Sequence, residues 1–194
     1  MIVLRKSRWN FDTSADAGIG FGAFNSEGGM FALDEPSGKT HQYIYSGFGM
    51  GISRGLSSML RIPRFALPKI IVKNDELSGS GSTTDFTSQG KLYLTDSFKG
   101  ADIVSPQSLE GGTIYLEGTV GYLFGGAGSF MLLGINRDLL LMGVVKPDLL
   151  GMAIRSAPAA LIMEGVNEGL QDTVGFAFML GQIKYTGLYT DDSE

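Results

Sequence analysis

Residue types that do chemistry are scarce in this chain. Its 194 residues include one histidine, His41, one tryptophan, Trp9, and no cysteine. A thiolate nucleophile, a disulfide framework, a zinc finger and an iron–sulfur cluster held by thiolates are therefore excluded. A Ser–His hydrolase would have to use His41 as its base. His41 lies in Thr40-His-Gln-Tyr43, just after a turn and at the entrance to a strand, where a solvated side chain is the expectation. No serine sits in a GxSxG elbow: Ser57 and Ser58 lie in GLSSML and Ser129 in AGSFM. The carboxylate pairs Asp34-Glu35, Asp75-Glu76 and Asp191-Asp192 are adjacent in turns or the tail, which reads as solvated charge. No catalytic residue, metal site or cofactor is assigned, and a hydrolase built on His41 is kept only as a distant alternative.

The glycine-rich motifs do not cradle phosphates. Gly18-x-Gly20 opens a dinucleotide fingerprint, but Ala23 occupies the position of its third glycine, and alternation continues where a helix should start. Near Gly79–Thr83 no lysine stands where a phosphate loop requires one.

Charge is more informative. The net charge of −5 argues against nucleic acid as a partner, because such a partner calls for a basic face. Between Ser37 and Asn74, however, six cations (Lys39, Arg54, Arg61, Arg64, Lys69, Lys73) occur without one acid. They are interleaved with Met59, Leu60, Ile62 and Phe65, a mixture suited to an anionic lipid surface or an acidic protein. Pro63 and Pro68 prevent a continuous amphipathic helix there. A second apolar feature is Val120–Ile135, without a charge and with five glycines, too short to span a bilayer as a helix. Together with Leu139–Val145 across Asn136-Arg137-Asp138 it reads as a β-hairpin, buried in the core or inserted into a bilayer, or as a short insertion loop.

These features must be carried by strands. Gly18, Gly20 and Gly22 alternate with Ile19 and Phe21, Gly47, Gly49 and Gly51 with Phe48, Met50 and Ile52, and Gly175 and Gly181 face away from Val174, Phe176, Phe178 and Leu180. Such strands have one bulky and one bare face, and the bare faces predict close packing or an apolar lane. Further strands are expected at Met30–Leu33, from Thr40, at Lys91–Thr95, Gly112–Thr119, Ala159–Val166 and Thr173–Tyr185. Lys146-Pro147-Asp148 predicts a helix start, ending near Ser156 ahead of Pro158.

The expected architecture is one mainly β domain over 1–194, an antiparallel sandwich or barrel of about 8–10 strands with Gly-alternating strands and a short helix near 147–156. A seam is placed in the polar loop 77–90. The expected function is non-enzymatic: engagement of an apolar ligand or anionic membrane surface through Arg54, Arg61, Arg64, Lys69, Lys73, Phe65, Leu123 and Phe124. With no classical signal peptide, the chain is expected in the cytoplasm or exported by another route, for which an effector or toxin delivered by a dedicated machine is one form. A self-assembling β protein that forms homo-oligomers is the alternative.

Overall fold

Period-two patterning makes strands wherever it recurs, because successive side chains leave a strand on opposite faces. The computed structural model describes residues 2–12, 29–47, 70–72, 89–117, 128–164 and 178–189. They contain β1 (Ile2–Asp12), β2 (Gly29–Asp34), β3 (Thr40–Gly47), β4 (Ile70–Val72), β5 (Gln89–Leu94), β6 (Gly111–Glu117), β7 (Gly128–Ile135), β8 (Ala159–Glu164) and β9 (Phe178–Leu188). Two helices, α1 (Arg137–Val145) and α2 (Pro147–Ser156), lie between β7 and β8, and a short 3-10 turn (Pro106–Leu109) precedes β6.

Eight strands pair antiparallel in the ring β1-β2-β3-β9-β6-β7-β8-β5 and back to β1, so the expected sandwich or barrel is a closed barrel. The seam sets Asn10, Phe11 and Asp12 against Asp34, Leu33 and Ala32. Closure leaves none of the eight with an open edge. β4 lies outside the ring, parallel to Ile2–Leu4 at the start of β1.

An eight-stranded barrel has an interior that side chains just fill. Here it is filled by Trp9, Phe11, Phe31, Leu33, Tyr43, Tyr45, Leu92, Leu94, Tyr115, Met131, Leu133, Leu161, Met163 and Ile183, with Ile103 and Leu109 entering from the β5–β6 connection. One glycine makes room for this content. At Gly90 a Cβ would stand 2.5 Å from the Phe11 ring. Gly47 pairs with Gly181 across β3 and β9, so the described members of two glycine-bearing strands are neighbours, as one bare face would require. The glycines at 18–22, 49, 51 and 175 lie outside the described residues.

A second core forms on the outside of the wall. Tyr93, Ile114, Phe130, Leu132, Ala160, Ile162 and Leu180 are covered by Leu140 of α1 and Leu150, Ala153 and Ile154 of α2. The reading of Leu139–Val145 as a strand is corrected here: it is helix α1. The Asn136 side chain accepts from the Leu139 N–H at 2.9 Å, and Asp138 sits in the first turn. Asn-Arg-Asp is therefore a helix cap rather than a hairpin tip. The expected helix at 147–156 is present as α2, opened by Pro147. Ser129–Ile135 is barrel wall, with Phe130 and Leu132 facing the helices and Met131 and Leu133 facing the interior. The polar stretch 77–90 ends in strand, since Gln89 and Gly90 begin β5.

The helices cross at Gly143, where a Cβ would lie 2.7 Å from the Leu150 Cα and 2.8 Å from its nitrogen. Alanine gains up to about 1 kcal/mol in helix propensity over glycine, whereas forcing packed backbones apart costs about 1–3 kcal/mol. Gly143→Ala is therefore expected to lower the urea midpoint of unfolding followed by Trp9 emission. An unchanged or raised midpoint would show that the two helices do not cross there.

Candidate functional site

One end of the barrel is closed by the β5–β6 connection, residues 95–110. β1 holds it. The Arg5 guanidinium donates to the carbonyls of Phe98, Gly100 and Ala101 and lies 5.7 Å from the centre of the Phe98 ring. The Asp102 carboxylate accepts from the Ser7 hydroxyl at 2.6 Å, the Ile103 N–H at 2.8 Å, the Arg8 N–H at 2.9 Å and the Arg8 Nε at 3.1 Å. The Trp9 indole N–H donates to the Ile103 carbonyl at 3.2 Å, and the Tyr43 hydroxyl to that of Pro106 at 3.1 Å. Burial pushes the Asp102 carboxyl up, but the bonds from Ser7, Arg8 and Ile103 outweigh it and hold the group below the usual carboxylate range. Burial is also the main reason the Tyr43 phenol is raised, with Tyr185 and Glu110 adding to it.

His41 sits at this end, and the expectation that it is solvated is corrected: it is 5% exposed. Its ring stacks on Trp9 at 5.1 Å. Nε2 lies 3.1 Å from Glu35 Oε2, and Nδ1 lies 3.1 Å from the Tyr185 hydroxyl. Ser37 donates its hydroxyl to the other oxygen of Glu35, with Lys39 3.5 Å away. Bonds from Ser37 and then His41 hold the Glu35 carboxyl below its usual range. The order of groups decides the chemistry. A serine hydrolase places imidazole between hydroxyl and carboxylate. Here the carboxylate stands between Ser37 and His41, so His41 is not positioned to take the Ser37 proton. The cluster fastens the β2–β3 turn to β9.

The outer face of the helical pair is a different kind of site. At 3.6 residues per turn, Leu140 and Gly143 of α1 and Leu150, Ala153 and Ile154 of α2 face the barrel, as their burial shows. The opposite face carries Leu141, Met142 (51% exposed), Val145 (79%) and Met152 (54%), with Val144 beside them. Among the described residues, five of the eight exposed large apolar side chains lie on this hairpin. Lys146 at its corner and Arg155 in the last turn of α2 are exposed cations.

The eight contact residues expected from sequence (Arg54, Arg61, Arg64, Lys69, Lys73, Phe65, Leu123, Phe124) lie outside the described residues. Sequence reading did not find the hairpin face. The apolar run Leu139–Val145 and the helix start at Pro147 were its signals, and which of those residues meet water depends on which side docks. The partners of His41 carried no signal either, since Tyr185 is 144 residues away.

No family model matches the sequence, and no solved structure matches it. Toxin protein Tse4 of Pseudomonas aeruginosa is 30% identical to it over 190 residues, which covers 93% of this chain and 95% of Tse4.

The Asp102 network makes stability depend on pH with a definite sign. A carboxyl held below its ordinary value of about 4 contributes stability above that value, and the contribution is lost as pH falls through the lower folded value. Asp102→Asn is therefore expected to lower the thermal midpoint at pH 7 and to flatten its decline below pH ~4. An acid limb as steep as that of the unsubstituted protein would show that Asp102 does not carry it.

Proposed function

This chain belongs to the family of the Tse4 toxin, and we propose that it is itself a toxin effector that acts by binding a lipid surface rather than by covalent catalysis. The observation that carries the reading is the collection of exposed apolar side chains on one outer element, Leu141, Met142, Val144, Val145 and Met152. Exposed apolar surface gathered on one element is the kind of feature that marks a membrane or protein contact. The catalytic alternative has less support, because the order Ser37–Glu35–His41 puts the base out of reach of the serine.

The basic segment, Arg54, Arg61, Arg64, Lys69 and Lys73, supplies long-range attraction to anionic headgroups in this reading, and Phe65, Leu123 and Phe124 add apolar contact. Export by a dedicated machine fits a toxin of this family. Self-assembly has weaker support, since strand edges are the usual route to it and the eight barrel strands leave none open.

Two measurements test the proposal together. The purified protein is expected to float with anionic liposomes and to do so less as salt is raised, because surface charge attraction is screened. Ser37→Ala and Tyr185→Phe variants are expected to stay toxic when expressed in bacteria. A protein that floats with no liposome and carries no lipid in organic extracts would remove the lipid reading. Loss of toxicity in a folded Ser37→Ala variant would instead restore the hydrolase.

A further inference from the structure

We infer that the α1–α2 hairpin is the element that enters the lipid surface, that it does so while docked on a closed barrel, and that the surface must be anionic. This rests on the lipid-surface reading above and assigns its contact to particular residues.

Leu141, Met142, Val145 and Met152 project from the side of the hairpin opposite its docked face. The crossing at Gly143 holds the two helices backbone to backbone, so they move as one wedge. With 9 and 10 residues the helices are far shorter than the roughly 20 that cross a bilayer. No helix among the described residues is long and apolar enough to do so. The depth open to such a wedge is the headgroup–acyl boundary, where amphipathic helices lie in the plane of the surface.

Protein-binding hot spots are rich in Trp, Tyr and Arg seated in pockets. This face is made of Leu, Met and Val, which suits fluid acyl chains. Lys146 and Arg155 border it, and with Arg137 they outnumber Asp138 and Asp148, so the hairpin is cationic on a chain of net charge −5. Long cationic side chains bury their stems and leave their heads at the phosphate level. The anionic requirement follows from these cations.

Lys6, Arg8 and Asn10 of β1 and Lys184 and Thr186 of β9 are exposed, outside the hairpin's cover. A barrel embedded in lipid shows an apolar band all round. A polar wall beside an apolar wedge instead fits a barrel that stays outside the bilayer.

Flotation of the full chain tests this, with vesicles of phosphatidylglycerol mixed with phosphatidylethanolamine and with vesicles of phosphatidylcholine alone. Val145→Asp and Met142→Asp, both at exposed positions, are expected to reduce partitioning onto the anionic vesicles about tenfold or more, and Lys146→Glu to weaken it. Val104→Asp, at a position 94% exposed on the β5–β6 connection, is expected to bind like the unsubstituted protein. Trp9 emission, which reports the barrel interior, is expected not to shift on binding. If the unsubstituted protein floats and the two aspartate variants float equally well, the hairpin assignment is wrong while the lipid reading stands. If the unsubstituted protein floats with neither vesicle, the lipid reading itself falls. Equal binding to phosphatidylcholine overturns the anionic requirement, and a red shift of Trp9 overturns the docked, closed barrel. If Val145→Asp turns a dimer into a monomer in light scattering without changing flotation, a second copy covers the face and the proposal fails.

Discussion

The bonds that converge on the carboxylate of Asp102 hold the barrel shut. β1 is the strand at which the ring closes, with β5 on one side and β2 on the other. Its register with β5 shifts between Lys6 and Asn10, where Ser7, Arg8 and Trp9 stand. A closing strand with an irregular ladder is a weak point unless something else fixes it. Asp102 binds Ser7 and Arg8, Arg5 grips the carbonyls around it, and the Trp9 indole reaches Ile103. The connection thus secures the seam strand and brings Ile103 and Leu109 into the barrel interior. Removing one partner would leave buried polar groups unsatisfied, which costs more than the lost bond alone.

Closure distributes the apolar residues. The interior takes the aromatic and branched side chains of all eight strands, and the outer wall of β5 to β9 takes a second set that the helices cover. Among the described residues the two cores leave little apolar surface unexplained, and most of what remains is on one element. The outer face of the hairpin is the one place among the described residues where several large apolar side chains meet water together. A toxin that works through a surface needs such a patch on an element that the fold can tolerate in contact with lipid. A two-helix insertion between β7 and β8 can serve, because the barrel closes without using its outer face.

Much of the fold was legible because local pattern and final structure agreed. Strands over 30–33, 91–94, 112–117 and 159–164 were legible from short apolar or alternating runs between turn residues, and α2 follows from Pro147 and Asp148. Asn136-Arg137-Asp138 misled because asparagine and aspartate serve turns and helix caps alike. The apolar run after it has no period-two pattern that would separate strand from helix. The strand in Ile2–Asp12 was masked by an apolar triplet followed by cations, and its partners β2, β4 and β5 are not neighbours in any pattern a single sequence shows. His41 was misplaced for the same reason. A histidine at a strand end is solvated unless something covers it, and what covers it is Trp9, Tyr185 and Glu35, brought from three strands or turns. The alternating glycines from which close packing was expected lie mostly outside the described residues, and the close approaches seen, Gly90 against Phe11 and Gly143 against Leu150, belong to other elements.

The central claim is that a closed barrel meets lipid through an outer hairpin without opening. Amide hydrogen exchange with and without anionic vesicles tests it most directly. Protection is expected to rise in 137–156 on binding, with β1, β5 and β7 exchanging as slowly as in the free protein. Faster exchange in those strands, with no change in 137–156, would contradict it.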